Sequence, residues 1–166
     1  MVRMSAVLSL ALTSLCAACV LAAGDQPPQI ININGEDAEV VAASAPHSIF
    51  IDPTFHRHSV LFQPQKEGDY ISFALNADEA IPYDLGTVIW YNNDEDIYKI
   101  AVNGRQVTQM DFSTARSGPS TTTPHINFHA GRNIVTYTYT HPGANAKHGG
   151  IRFHRFELTP SQLMGH

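Results

Sequence analysis

The feature that most limits the fold of this chain is a period-two alternation of apolar and polar residues from Ile30 onward. Successive side chains of a strand point to opposite faces, whereas an amphipathic helix needs apolar residues at i, i+3, i+4 and i+7. No window has that helical spacing, so the sequence predicts an all-β domain. Ten strands are expected: Ile30–Asn34, Ser48–Asp52, Val60–Gln63, Tyr70–Asn76, Thr87–Asn92, Ile97–Val102, Arg105–Phe112, Ile126–Phe128, Ile134–Thr140 and Ile151–Leu158.

The residue types along a strand indicate which of its two faces is buried. Ile71, Phe73 and Leu75 alternate with small residues and are expected on one buried face. Between two of the strands stands Asn103–Gly104, a pair that favours positive φ at both positions and predicts a type I′ hairpin.

The last strand breaks its own alternation. Ile151 and Phe153 share one face, and an extra residue at His154–Arg155 is needed to return Phe156 and Leu158 to it, which predicts a β-bulge. Ten short strands joined by turns are typical of a β-sandwich or jelly roll.

The first 22 residues are expected to be a cleaved secretory signal peptide. They are almost entirely apolar or small, with Arg3 as the only charge, and small residues close the run before Gly24. A retained anchor, including a lipid on Cys19, is the alternative. A single mature domain is therefore expected over 23–166, with its core at about 30–158, in a secreted or periplasmic location.

Composition excludes several classes of partner. Both cysteines, Cys16 and Cys19, lie within the signal, so the mature domain is expected to fold without disulfides. The chain has 10 Lys+Arg against 15 Asp+Glu, a formal net charge of -5. This charge disfavours nucleic acid and anionic membranes, and it leaves neutral ligands such as sugars, and cations, as candidates. No membrane span is expected in the mature form.

Five short motifs follow one another along the chain: Gly68–Phe73, Gly86–Asn93, Tyr98–Gly104, His129–Val135 and Gly149–Phe156. Their order resembles the galactose-binding-like jelly roll of carbohydrate-binding modules of families 6 and 35, over about residues 30 to 158. The resemblance implies a two-sheet jelly roll whose loop edge holds a sugar against an aromatic ring. In many members it also implies a structural calcium ion near the chain start.

The resemblance also suggests the residues of a sugar site. By position, Tyr91 and Asn93 match the family's aromatic residue and the Asn that follows it. His125, Asn145 and His148 lie in or beside long connections, where a β-scaffold carries binding groups, and can donate hydrogen bonds to sugar hydroxyls. The family's Trp in the loop before the fourth motif is absent here.

The choice of Tyr91 as the sugar-facing ring depends on strand alternation. Trp90 shares its parity with Val88, and if Val88 faces the core then Trp90 is buried and Tyr91 points outward. Packing of Tyr91 against the domain is the alternative. The connections Ser113–Thr123 and His141–Gly150 are read as binding loops or as solvated surface connections.

Two histidines offer a transition-metal hypothesis. His56 and His58 are two residues apart, about 6.6 Å along one face of a strand, and such a pair chelates zinc or copper if a third ligand arrives from elsewhere. Solvent-exposed loop histidines are the alternative.

Calcium is the other metal considered, and it follows from the resemblance alone. The family's ligands would lie at Glu36, Asp37 and Glu39 near the chain start. The Asp that the family has in the final strand is replaced by His154, which leaves this site one carboxylate short.

Three functions are therefore weighed. The first is a secreted, non-catalytic, lectin-like module that binds an extracellular or cell-surface glycan. The second is a secreted histidine-rich metal-binding β-domain, and the third is a small polysaccharide-active enzyme on the same scaffold. The sequence has no Gly-x-Ser-x-Gly elbow, thiol nucleophile, His-Glu-x-x-His or phosphate loop, which favours a non-enzymatic role.

Overall fold

The computed structural model describes residues 29–52, 58–89, 97–111, 120–141 and 150–164. The strands in these ranges are β1 (Ile31–Asn34), β2 (Glu39–Ala43), β3 (His47–Ile51), β4 (His58–Phe62), β5 (Tyr70–Ala77), β6 (Pro82–Ile89), β7 (Ile97–Val102), β8 (Arg105–Asp111), β9 (Ser120–Asn127), β10 (Gly131–His141) and β11 (Ile151–Pro160). Short 3₁₀ turns span Gly35–Asp37 and Ser161–Met164. Within these ranges no helix is long and apolar enough to cross a membrane.

The strands form two sheets in which the pairs are antiparallel. One sheet has the order β3-β4-β11-β6-β9, and the other has the order β2-β5-β10-β7-β8. Strand β1 pairs with Arg155–Leu158 of β11, and β4 pairs with Ile151–Phe153, so β1 and β4 lie end to end along one edge of β11. The predicted all-β sandwich is confirmed.

Aromatic residues join the two sheets. Phe73 of β5 and Tyr137 of β10 pack against Phe153 and Phe156 of β11, with ring centroids 4.7 to 6.2 Å apart. All four rings are fully buried. Within this core the Tyr137 hydroxyl lies 2.6 Å from that of Thr87, so the one polar atom of the tyrosine has a partner. Burial raises the pKa of Tyr137 far above its usual value, and the hydroxyl stays protonated.

Two local predictions are confirmed. Asn103 and Gly104 have φ of 49° and 79°, as a type I′ turn requires, and they join β7 to β8. The register between β11 and β6 shifts between Phe153 and Arg155, which is the expected bulge. The bulge lets Phe153 and Phe156, three positions apart, enter the same core.

Other predictions need correction. Strand β2 was not anticipated, because its sequence Glu-Val-Val-Ala-Ala lacks alternation. Strand β6 begins at Pro82 rather than Thr87, and β9 begins at Ser120, inside the connection expected over Ser113–Thr123. Strand β9 contains Pro124, which an edge strand tolerates because its outer N–H groups need no partner. The predicted signal lies outside the described residues.

The sandwich has two distinct ends. At the loop end, β6, β8 and β10 finish at Ile89, Asp111 and His141, and β7, β9 and β11 begin at Ile97, Ser120 and Ile151. Register supports this grouping, since Ile89 pairs with Phe153, and Ile97 pairs with both Asp111 and His141. At the turn end, the connections are 78–81, 103–104 and 128–130.

Candidate functional site

The loop end is where the predicted sugar residues belong by chain order. Tyr91 and Asn93 fall between β6 and β7, and Asn145 and His148 fall between β10 and β11. All four lie outside the described residues. The strands that flank both connections reach the same end of the sandwich. Both connections therefore leave and rejoin the sheets at that end.

A buried carboxylate organises the described part of the loop end. Asp69 is 4 % exposed. Its Oδ2 accepts hydrogen bonds from the backbone N–H groups of Gln65 and Lys66 at 2.8 and 3.1 Å. Its Oδ1 accepts one from the Ser44 hydroxyl at 3.1 Å, and the Ser44 oxygen accepts one from the Tyr70 N–H. The carboxylate thus ties the connection after β4 to the connection after β2.

These hydrogen bonds lower the pKa of Asp69 below its usual value. The backbone N–H of Gln65 has the largest effect, and burial, which acts in the opposite direction, does not cancel it. The carboxylate is therefore charged at neutral pH, and it links the two connections through charge-assisted hydrogen bonds.

The observed facing of β6 reverses one premise of the sequence argument. Leu85 and Ile89 face the core and are 0 % exposed to solvent. Val88, at 9 %, lies on the opposite face of the strand and outside the core cluster. The expectation that Val88 faces the core was wrong, because β6 is central and both of its faces are covered. Trp90 and Tyr91, whose roles were argued from Val88, lie outside the described residues.

His125 is placed at the other end of the sandwich. It follows Pro124 in β9 and lies beside Asp84 of β6. Asp84 is five residues before Ile89, the end of β6. That offset is about 16 Å at the strand rise. The structure therefore separates His125 from the strand ends at Ile89 and His141, and its grouping with Tyr91 and Asn145 in one site stays a prediction.

His125 instead lines a groove where the two sheets meet at their edges. Strand β8 is the edge of one sheet and β9 the edge of the other, and they contact each other at the turn end. The cavity between them has a volume of about 240 Å³. Arg105, Gln106 and Asn127 contribute its other polar side chains, and Val107 and Pro124 are among its apolar ones. We call this the β8–β9 groove.

Sequence reasoning missed Arg105 and Asn127. They are more than twenty residues apart, and only the pairing of β8 and β9 with separate sheets brings them together. Pro124 is a local sign of an edge strand or a bulge, but the sequence does not show which other edge that strand meets.

The expected calcium ligands do not assemble. Glu39 forms a salt bridge with Arg132, with Oε1 and Nη2 2.8 Å apart. Asp37 accepts a hydrogen bond from the Asn34 amide, and Glu36 faces His58, with Oε1 and Nδ1 3.9 Å apart. A calcium site needs several oxygen ligands around one point. Glu36, Asp37 and Glu39 each contact a different partner and are not grouped around one point among the described residues, so calcium at these residues stays a prediction.

The histidine pair is only half described. His58 begins β4 and lies beside Glu36, whereas His56 lies outside the described residues. Across the part of the chain that the structure describes, no group of three or more His, Cys, Asp and Glu residues is placed to hold a metal ion. Zinc or copper binding by His56 and His58 stays a prediction.

Comparison with known proteins identifies the fold. No protein-family model matches the chain, and no curated protein matches it significantly. Among solved structures, a Paenibacillus xanthan lyase has a TM-score of 0.69 at 18 % identity; the match covers 78 % of this chain and 13 % of the lyase. A native family 35 carbohydrate-binding module from Clostridium thermocellum has a TM-score of 0.56 at 20 % identity, covering 80 % and 98 %.

A third similar structure is a family 36 carbohydrate-binding module solved in complex with calcium and xylotriose. Its TM-score is 0.51 at 14 % identity, and the match covers 78 % of this chain and 99 % of the module. The chain thus spans a small part of the lyase but nearly the full length of the two isolated modules. The predicted two-sheet jelly-roll fold is confirmed, and these carbohydrate-binding modules have a similar fold.

Proposed function

We propose that this protein is a non-catalytic carbohydrate-binding module that acts outside the cell on an extracellular or cell-surface glycan. The observation that supports it best is the match of one β-sandwich to nearly the full length of separate carbohydrate-binding modules. The two modules share the fold of this chain but only 20 % and 14 % of its sequence, and fold alone does not fix function. The proposal therefore needs a site whose chemistry suits a sugar.

The proposed site is the loop end. Binding residues of β-sandwiches are commonly carried on loops that a rigid scaffold positions. Here the connections that contain Tyr91 and Asn93, and Asn145 and His148, begin and end at the same end of the two sheets. The hydrogen-bonded Asp69 holds the neighbouring connection in place.

Sugar recognition needs two kinds of group. A pyranose stacks its C–H face on an aromatic ring, and its hydroxyls pair with planar amides and imidazoles. Tyr91 supplies the ring in this proposal, and Asn93, Asn145 and His148 supply the directed hydrogen bonds. Trp90 must be tested alongside Tyr91, because the alternation argument that chose Tyr91 started from Val88 in the core, and Val88 lies outside the core cluster.

A glycan array of the secreted protein, run with and without EDTA, is the experiment that tests the proposal. We expect binding to a restricted set of glycans. Binding that EDTA leaves unchanged agrees with the absence of converging calcium ligands among Glu36, Asp37 and Glu39. Binding that EDTA abolishes would return a metal to the site, and an array with no positive glycan would overturn the proposal.

Two further measurements separate the alternatives. Release of reducing ends from any glycan that binds would show a polysaccharide-active enzyme and contradict the non-catalytic role. Uptake of zinc or copper without any glycan binding would favour the histidine-rich metal-binding domain, and its loss in His58→Ala would identify the ligand. Metal affinity at such a site must fall as pH drops, since only neutral imidazole binds.

A further inference from the structure

We infer that the β8–β9 groove is a second ligand site, which binds the anionic group of an acidic sugar, either a carboxylate or a sulfate ester. The inference goes beyond the proposed function, because it concerns a second site at the opposite end of the sandwich and specifies an acidic sugar as its ligand. It rests on the size of the cavity, the charge of its lining and the way two bulged edge strands form it.

The size of the cavity suits a single sugar ring. Its volume is about 240 Å³, below the roughly 300–1,000 Å³ of pockets that enclose drug-sized ligands. Val107 and Pro124 give it apolar surface on both of its strands. Gln106 and Asn127 contribute side-chain amides that can donate to and accept from hydroxyl groups.

The charge of the lining selects an anion. Arg105 and His125 line the groove, and none of the lining residues is an aspartate or a glutamate. Among the described residues Arg105 forms no ion pair. A guanidinium matches the paired oxygens of a carboxylate or sulfate in a planar, two-pronged geometry. The groove thus has a guanidinium and no carboxylate in its lining, in a chain of formal net charge -5.

Each of the two edge strands has a register shift beside the groove. The register between β7 and β8 shifts between Ile100 and Ala101, which places an extra residue at Val107. The register between β6 and β9 shifts between Tyr83 and Leu85, opposite Pro124 and His125. A bulge redirects the side chains beside it, and bulges are frequent near binding sites.

A strained backbone fixes the position of His125. Its φ is +54°, a conformation uncommon for residues other than glycine. Asp84, which is 2 % exposed, holds it there: Oδ1 accepts hydrogen bonds from the His125 N–H at 2.9 Å and from the Ser161 hydroxyl at 2.6 Å. The same Oδ1 lies 3.9 Å from the imidazole Nδ1, while the ring itself is 59 % exposed. The imidazole is therefore presented at the groove by a buried anchor.

The test is an NMR titration of the isotope-labelled protein with four probes. These are a methyl glucuronide, a galactoside 6-sulfate, a neutral methyl glucoside and inorganic sulfate. We expect one of the acidic sugars to shift the amide signals of Gln106, His125 and Asn127, more weakly as salt is raised. The carboxylate and sulfate probes decide between the two anionic groups.

Variants assign the binding to the groove. Arg105→Gln should weaken the acidic sugar about tenfold or more, since a charge-assisted hydrogen bond is lost. His125→Gly should also weaken it, without unfolding, because glycine accepts the positive φ. Arg132→Gln, which removes an exposed guanidinium elsewhere, is the matched control and should bind as the wild type does.

Four outcomes would overturn the inference. They are the absence of shifts in the groove with both acidic sugars, equal affinity for the neutral glucoside, equal affinity for sulfate alone, and unchanged affinity in Arg105→Gln. The proposed function is tested separately, because Tyr91→Ala at the loop end should leave these shifts unchanged. Failure of one site therefore does not imply failure of the other.

Discussion

The connections at the two ends of this sandwich differ in length and in the hydrogen bonds that link them. At the turn end, short connections satisfy their polar groups among themselves. At the loop end, the strands lead into longer connections, and Asp69 links the neighbouring connections after β2 and β4. The difference shows that one sandwich can link its connections through a neutral amide at one end and through a charged carboxylate at the other.

Asn133 is the centre of the turn end. It is fully buried, and its amide makes four hydrogen bonds. Its Oδ1 accepts from the Asn103 side chain and the His129 N–H, and its Nδ2 donates to the carbonyls of His129 and Gly131. One amide thereby links the β7–β8 turn to the β9–β10 connection. Asp69 has the corresponding role at the loop end, with fewer partners and a charge.

The largest effect on stability is expected from Asn133→Ala. The substitution removes four hydrogen bonds made by a fully buried side chain and leaves a void in its place. We expect a loss of about 3–5 kcal/mol in the free energy of unfolding. Urea denaturation measures it. Asn76→Ala, at an exposed position of β5, is the control and should change stability by less than about 0.5 kcal/mol. Equal effects of the two variants would contradict the role of Asn133.

At the loop end, Asp69→Asn should cost about 1–3 kcal/mol, since the amide nitrogen replaces an oxygen that accepts hydrogen bonds. The lowered pKa predicts the pH dependence. A carboxyl group with a lower pKa in the folded state stabilises the fold above its unfolded value, and this stability disappears as pH falls through the folded value. The difference between wild type and variant should therefore be full at pH 7 and shrink below about pH 4. A difference independent of pH would show that the charge of Asp69 does not matter.

The smallest effects are expected from two glycines, one at each end. Gly104 and Gly68 have φ of 79° and 89°, and an added Cβ would contact nothing within 4 Å at either position. Each alanine substitution should cost about 1–2 kcal/mol from backbone strain alone. Thermal unfolding of both variants compares the ends directly. A much larger loss at Gly104 than at Gly68 would mean that strain spreads through the tightly bonded turn end.

Much of the fold was predictable from local pattern. The faces of Ile71, Phe73 and Leu75, the Asn103–Gly104 hairpin and the bulge at His154–Arg155 each follow from residues close in sequence. The missed parts have non-local causes. Strand β2 is specified by its pairing with β5, and β6 is buried on both faces, so alternation could not show which face meets the core.

The candidate sites were less predictable for the same reason. The flanking strands bring the ends of the connections that contain Tyr91 and Asn145 to one end of the sandwich, whereas chain order gave no reason to place His125 beside Asp84, away from those strand ends. That separation depends on the pairing of β9 with β6 from Pro82 to Val88. Strand β6 begins earlier along the chain than its local sequence suggests. The β8–β9 groove needs the edges of two sheets to meet, and no local motif encodes that contact.

The most direct measurement for the central claim is calorimetric titration of a glycan that binds on the array into wild type, Tyr91→Ala and Trp90→Ala, each checked for folding by urea denaturation. The account predicts that wild type binds and that one aromatic variant stays folded while losing about 1–3 kcal/mol of binding free energy. Asn76→Ala, at the turn end, should bind as wild type does. Full binding by both aromatic variants, or a loss seen only in a variant that has unfolded, would contradict a sugar site at the loop end.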